Sequence, residues 1–584
     1  MNWMLKTVAA LTLVSLVAAV YWPIHHAGFV WDDVMCFHDA AWLRVGNDWE
    51  HFAFRGFCDW TNYFRPLLVA LFTLQLRLFD SDPAPMHMVS LAIHVGNTLV
   101  VGALALRFCR ARSAALAWPT CAVAACLYGL HPALLEPIVW INTQTELLVV
   151  FFMLAGLLLN AIISWTPMRA FAVAVCFFLA ACSKESAIAF PLLLVMLDWL
   201  RDRGVAARTL WRRQRAVYAV VLLTGLVYLA LRAWAFGYVI VRPADATTVA
   251  LLPRTREIAY VFLTYMRILL WPMSGSGPIH VVDTARFGVA SAGSWLAIAA
   301  MLAILALGLF GTWRRNLLGG ATIAAFIALL PVLHVIPVAF DDSLFHERYV
   351  MMPLALLCSL VPAQILELRE SIWTRGVVLL TASAAIAWLA VAIATIRTHI
   401  PVWSDEITLW SWALRSNPGS LTAQDRLLAA YMDRGELAHA RALADTILAA
   451  NTRCPFCVLY AAQLALADGN PDRAAPLLER IRNDPKILAY NQRFLQQFIL
   501  VSGKLQEAWH DEAGAEADYH DAIDIDPLIP DPYLALALLL ARQGRADEAR
   551  AAATQAARLY APDMRARHAR DLERVLAAAG AAPP

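Results

Sequence analysis

The chain has 584 residues, 60% of them hydrophobic and 16% charged, with a formal net charge of +2 at neutral pH. That apolar share exceeds the roughly 45–50% of soluble domains and excludes an ordinary soluble protein in favour of a polytopic membrane protein. The near-balanced charge, without a basic patch interleaved with aromatics, gives no sign of a nucleic-acid partner.

Taken in order, the hydropathy predicts about eleven segments long and apolar enough to span a bilayer. They lie at 3–22, 86–108, 114–130, 138–164, 168–183, 187–200, 216–236, 294–313, 317–340, 349–365 and 376–396. The first is expected to be an uncleaved membrane helix. No small-x-small cleavage site leads into polar sequence there; Val20-Tyr21-Trp22-Pro23 follows instead. The short apolar piece 66–79 reads as an interfacial helix. So does 254–271, because Arg256 and Arg267 interrupt it. Two short spans flank Lys184-Glu185 and read as broken or tilted helices meeting at a polar point.

Positive charge predicts the orientation. Loops carrying Arg107, Arg110 and Arg112, then Arg201 to Arg215, Arg314-Arg315, and Arg369 with Arg375 all fall on one side with Lys6. That side is expected to be cytoplasmic. The opposite face then carries Asp32-Asp33, residues 131–146, Lys184-Glu185, 341–349 and the C-terminal region.

After His399 the spans stop and an Ala-, Leu- and Arg-rich pattern begins. Gly435, Gly469 and Gly503 are spaced by 34 residues, the tetratricopeptide period, and Gly544 follows after 41. Each has Ala five positions on: Ala440, Ala474, Ala508 and Ala549. Glycine at an inter-helix turn and alanine at a close helix crossing predict stacked helical hairpins. The longer last interval predicts two extra helical turns near 509–524. The fold class expected is therefore all-α, with a membrane domain over 1–399 and a helical-repeat solenoid over 400–584. On the outer face, Cys454–Cys457 and Cys36–Cys58 are predicted disulfides.

Several ionisable residues at membrane boundaries are candidates for chemistry. Asp32 and Asp33 either cap a helix end or supply a general base. Arg65 either snorkels to headgroups or binds a substrate phosphate. His131 and Glu136 sit among Pro132 and Pro137 in an irregular turn at membrane depth, with Asn142 and Glu146 beyond. Lys184 and Glu185 form an ion pair or a site. Glu347, Arg348 and Tyr349 precede a span, and Arg348 is suited to bidentate phosphate binding. Together these suit a phosphate leaving group and a hydroxyl nucleophile at the bilayer surface.

The ordered motifs Phe29-Val30-Trp31-Asp32-Asp33, Tyr63-Phe64-Arg65-Pro66-Leu67, His131-Pro132 with Glu136, Ser183-Lys184-Glu185, Glu347-Arg348-Tyr349 with Pro353, and Trp403 with Leu409-Trp410 resemble one family. It is the transmembrane and tetratricopeptide-repeat O-mannosyltransferases and their bacterial relatives, within the GT-C glycosyltransferase superfamily. The resemblance implies a GT-C fold in a bacterial inner membrane with an extracytoplasmic repeat domain. It implies a polyprenyl-phosphate-linked sugar donor, a hydroxyl acceptor on an extracytoplasmic protein held by the repeats, and inverting, metal-independent catalysis without a cofactor. Asp32 or Asp33 would be the base; Arg348, Arg65 and Lys184 would hold the lipid phosphate. At Asn142-Thr143-Gln144-Thr145-Glu146 the chain departs from the family pattern, which leaves the sugar open. A glycan ligase and a non-catalytic envelope scaffold are the rival readings.

Overall fold

A computed structural model describes residues 3–38, 54, 63–79, 81–109, 114–239, 251–271, 277–335, 343–365, 374–450, 454–488 and 491–578. The fold is all-α; among the described residues the β-structure is one isolated bridge, Val281 to Ser343. The chain divides into two compact units, Met1–Phe29 with His51–Asp405, and Val30–Glu50 with Glu406–Pro584. The division thus falls between Asp405 and Glu406 rather than at 399, and the segment carrying Asp32 and Asp33 groups with the second unit.

The first unit contains α1 (Trp3–Tyr21), α2 (Pro66–Phe79), α3 (Pro83–Phe108), α4 (Ala114–Gly129), α5 (Leu135–Val139), α6 (Gln144–Ile162), α7 (Thr166–Ser183), α8 (Phe190–Arg201), α9 (Ala207–Phe236), α10 (Leu251–Leu270), α11 (Ala292–Trp313), α12 (Leu317–Leu329), α13 (Met351–Ile365) and α14 (Arg375–His399). Among the described residues, eight helices are long and apolar enough to cross a membrane, or nine if the bent pair Ala117–Gly129 and Pro132–Val139 is one span. The protein is a multi-pass membrane protein. Two predicted spans are shorter than expected: α8 has 12 residues and α12 has 13. At 1.5 Å per residue each covers roughly 20 Å, less than the ~30 Å hydrocarbon core. The predicted span 138–164 is broken at Trp140, where the backbone turns extended before α6 begins. As expected, 66–79 is a separate short helix.

Helix α3 is a packing hub, touching α4, α6 and α13. Helices α11 and α14 leave most of their apolar surface uncovered, including Leu307, Phe310, Leu380 and Ile386, as lipid-facing helices do. Helices α11 and α12 cross at Gly311 and Gly319. A Cβ on Gly319 would lie 2.6 Å from the Gly311 Cα, so the backbones meet there because neither residue has a side chain.

The second unit is built of helices packed on their chain neighbours: α15 (Glu406–Ser416), α16 (Leu421–Asp433), α17 (Leu437–Ala449), α18 (Pro455–Ala467), α19 (Pro471–Arg482), α20 (Pro485–Leu488), α21 (Gln492–Ala508), α22 (Glu512–Ile525), α23 (Pro530–Arg542), α24 (Ala546–Leu559), α25 (Pro562–Arg567) and α26 (Ala569–Ala578). Gly435, Gly469 and Gly544 form the turns with φ of +73°, +69° and +76°. These are left-handed conformations that glycine adopts without steric cost.

Gly503 does not form a turn. It lies inside α21, where a Cβ would come within 2.8 Å of the Tyr519 ring. The turn of that hairpin falls at His510, with φ +62°. The true turn positions are therefore 435, 469, 510 and 544, and the alanine five residues on is Ala515, not Ala508. Ala440, Ala474, Ala515 and Ala549 are all buried at helix crossings, whereas Ala508 is exposed. The long interval precedes His510 and holds the extra helix α20. The predicted insertion near 509–524 is misplaced, because Gly503 matched the spacing for a different physical reason. Cys454 and Cys457 are disulfide-bonded. Cys36 is also disulfide-bonded; Cys58, its predicted partner, lies outside the described residues.

Candidate functional site

Within the first unit, four breaks between helices carry the predicted polar residues. Arg65 precedes Pro66, the first residue of α2. The turn after α4 is shaped by Pro132 and Pro137, which set Glu136 in the short α5 and lead to Glu146 in the first turn of α6. Helix α7 stops because Lys184 is extended (φ −161°, ψ 147°); the chain resumes as a 3-10 turn from Glu185 and then as α8, with Pro191 in its first turn. Glu347, Arg348 and Tyr349 form a 3-10 turn leading into α13.

Each basic residue of this group meets a carboxylate from a distant part of the chain. Arg65 donates from Nη2 and Nε to Glu185 Oε2 at 2.9 and 3.2 Å, and Arg232 Nη1 lies 3.8 Å from Glu185 Oε1. Lys184 donates to Glu146. Arg348 donates to Glu136 twice, from Nη1 and from its backbone N–H at 3.1 Å. The Tyr349 ring lies under two cations, with Lys184 Nζ 4.9 Å and the Arg348 guanidinium carbon 4.9 Å from its centroid. Trp140 is 5.2 Å from the same guanidinium. Glu347 is occupied by His280 Nε2 at 2.9 Å. The His280 ring stacks on Phe345 at 4.5 Å, and the His280 backbone N–H donates to Ser343 Oγ at 2.8 Å.

Electrostatics follow from this pairing. Burial pushes the Lys184 ammonium below the usual lysine range, against the opposing pull of Glu146. Burial works to raise Glu185, but the Arg65 guanidinium outweighs it and holds the carboxyl below the usual range. For His280, burial favours the neutral ring, yet the Glu347 carboxylate prevails and the imidazole is held above its ordinary value. Burial, and then Arg348, push His346 well below the ordinary histidine range.

A small cleft, with about 30 Å³ of enclosed space, opens beside these pairs. Its polar lining is Glu146, Ser186, Arg348 and Tyr349; its apolar lining includes Val149, Met153, Val332 and Met352. In chemical character, a cationic and aromatic end joined to an apolar wall suits an anionic head joined to a hydrocarbon body. Among the described residues, no three His, Cys, Asp or Glu side chains are grouped to hold a metal ion.

The structure thus brings Arg65, Glu136, Lys184, Glu185, Glu347, Arg348 and Tyr349 into one set of linked pairs. His131 is engaged differently: its Nε2 contacts the Leu269 carbonyl at 3.3 Å and its ring packs on Trp388. Sequence reasoning missed Arg232, Trp140 and His280 and left Glu146 outside the site. Arg232 carried a readable signal, an arginine inside an apolar helix. His280 carried none.

Asp32 and Asp33 belong to the second unit and are held by it. Asp33 is fully buried, and its Oδ2 lies 3.5 Å from the Val30 N–H; Asp32 is half-buried. The preceding Trp31 has φ +57°, a strained conformation for a bulky residue. Its N–H donates to the Glu406 carboxylate, and its indole packs edge-on against Trp410 at 5.2 Å. Trp410 Nε1 donates to the same carboxylate at 2.7 Å. Burial pushes Glu406 up to about 7, despite these two donors and the nearby Arg426.

No protein-family model matches the chain. It is 30% identical over 170 residues to Protein O-mannosyl-transferase TMTC3 of Mus musculus. The match covers 26% of this chain and 18% of that protein, so the chain spans under a fifth of its relative. The relationship is distant and partial: it links this multi-pass membrane protein to an O-mannosyltransferase without placing it in that protein's family.

Proposed function

We propose that the protein is a membrane glycosyltransferase that moves a sugar, mannose in the first instance, from a polyprenyl-phosphate donor to a hydroxyl of an extracytoplasmic protein. The observation that carries the reading is the cleft: Arg348 and Tyr349 at its polar end and an aliphatic wall match a phosphate joined to an isoprenoid chain. The distant likeness to an O-mannosyltransferase supports the same chemistry.

In the proposed step, a carboxylate of the Asp32-Asp33 pair takes the proton of the acceptor hydroxyl as its oxygen attacks the anomeric carbon. The bond from that carbon to the phosphate oxygen breaks, and polyprenyl phosphate leaves with the electron pair. Arg348, with Arg65 and Lys184, would neutralise the leaving phosphate. The base assignment rests on the sequence resemblance alone. The repeat-like second unit would hold the acceptor. The Arg-rich loops support a cytoplasmic N-terminus and an extracytoplasmic second unit; the bacterial inner membrane rests on the sequence resemblance alone. The cluster's own cations would serve without a metal, which unchanged activity in EDTA would support.

The test uses the full chain in nanodiscs with synthetic undecaprenyl-phosphate mannose and envelope proteins as acceptors. One added hexose per modified site is expected, and Arg348→Gln should slow transfer about 100-fold, the usual scale for losing a charge-stabilising donor. No hexose transfer, or full transfer by Arg348→Gln, overturns the reading. Transfer of a whole glycan would make the protein a ligase instead.

A further inference from the structure

The Asp32-Asp33 pair follows a backbone turn that its own sequence disfavours. Asp33 donates its backbone N–H to the Val30 carbonyl at 3.1 Å, and Val34 donates to the Trp31 carbonyl at 3.3 Å. In this turn Trp31 has φ +57°. Glycine takes that conformation freely, whereas a bulky residue holds it only where surrounding contacts impose it. Within the second unit those contacts come from the start of α15. The Glu406 carboxylate divides its two oxygens: Oε1 accepts the Trp31 backbone N–H, and Oε2 accepts from Trp410 Nε1 at 2.7 Å. Glu406 and Trp410 lie about one helical turn apart, so the indole N–H steers the carboxylate. The fully buried Trp410 ring meets the Trp31 ring edge-on at 5.2 Å and completes the set of contacts. A single oxygen would satisfy the buried Trp410 N–H. The other serves a backbone donor 375 residues away, at the residue whose φ is unfavourable.

From these contacts we infer that Glu406 is a positioning residue for the Asp32-Asp33 pair: it fixes Trp31 in the conformation that sets the direction of the two carboxylates. The inference rests on the transferase reading above, in which one of that pair is the base. The direction in which Asp32 leaves the chain follows from the backbone angles of Trp31 before it, and a misdirected base loses rate out of proportion to the displacement. Glu406 opens α15, and α15 packs on α16, so the aim of the pair depends on the folded second unit.

Two readouts test this, one independent of turnover. The first is hydrogen exchange of the backbone amides of residues 31–34 in the full chain in nanodiscs. Glu406→Ala should speed exchange there about 10- to 100-fold, the scale of losing a hydrogen bond to a charged acceptor. Tyr519→Phe removes another side-chain hydrogen bond of the second unit, to Glu507 Oε2 at 2.9 Å, and should leave 31–34 as slow as in the wild type. The second readout separates kcat from KM with undecaprenyl-phosphate mannose. Glu406→Ala should lower kcat about 10-fold or more and leave the donor KM unchanged. Unmoved exchange at 31–34, equal exchange there in Glu406→Ala and Tyr519→Phe, or a wild-type kcat in Glu406→Ala overturns the inference. If Glu406→Ala does not fold, Glu406→Gln decides: it offers one acceptor oxygen in place of two and no charge, and unmoved exchange at Trp31 overturns the inference. Wild-type protein that transfers no sugar, while Glu406→Ala frees residues 31–34, removes the transferase reading and leaves the Glu406–Trp31 clamp standing.

Discussion

Substitution Glu136→Gln tests the pairing that organises the cleft. The Glu136 side chain is 4% exposed and that of Arg348 is 12% exposed. Glutamine keeps nearly the same volume and can still accept the Arg348 backbone N–H, so what is lost is charge. Removing one partner of a buried ion pair costs about 3–5 kcal/mol, because the other charge stays desolvated and uncompensated. Here the lower end applies. Arg348 keeps the rings of Trp140 and Tyr349, and a cation over an aromatic face recovers about 1 kcal/mol or more. The expected loss is therefore about 3 kcal/mol, a more than 100-fold fall in the folding equilibrium constant. Equilibrium unfolding in mixed micelles measures it, with Arg348→Gln and the double variant completing a cycle. The double variant should be less destabilised than the sum of the singles by at least about 2 kcal/mol, since it leaves no orphan charge. A Glu136→Gln variant within about 0.5 kcal/mol of wild type, or additive single changes, refutes the view that this pair is electrostatically coupled.

Two further outcomes follow from burial and titration. The raised His280 contributes stability that is fully present below the ordinary imidazole value of about 6.5 and is lost as pH rises through its higher folded-state value. The melting temperature should fall over that range in wild type and less so in His280→Gln; equal slopes would show that the Glu347 contact carries no proton linkage. In the second unit, Ala515→Leu should cost about 1–3 kcal/mol by overpacking a closed helix crossing, while Ala508→Leu, on the surface, should cost under about 0.5 kcal/mol. The reverse ranking in thermal melts would restore the repeat register read from Gly503.

Much of the site was legible because membrane sequences make charge conspicuous. Arg65, Glu136, Lys184, Glu185, Glu347 and Arg348 stand out against apolar flanks, and a buried ionisable group needs a partner. Which partner was not legible. Lys184 and Glu185 are neighbours in sequence and read as a pair with each other, yet one meets Glu146 and the other Arg65. Adjacent residues at a helix break need not face the same way, and here the extended backbone at Lys184 separates them.

The sequence by itself determined the class of protein, the positions of most helices and the inventory of charged groups. Each follows from local transfer free energy, which is summed over neighbours along the chain. Tertiary structure decided what contact alone can settle. It joined Glu136 to Arg348 across 212 residues and Arg65 to Glu185 across 120. It set the repeat register at His510, because a residue's place at a crossing depends on what the facing helix presents. It also assigned Asp32 and Asp33 to the second unit. Hydropathy put them at the exit of the first membrane helix, but the neighbouring Trp31 is held from nearly 400 residues later, where the Glu406 carboxylate accepts its N–H and Trp410 packs on its ring.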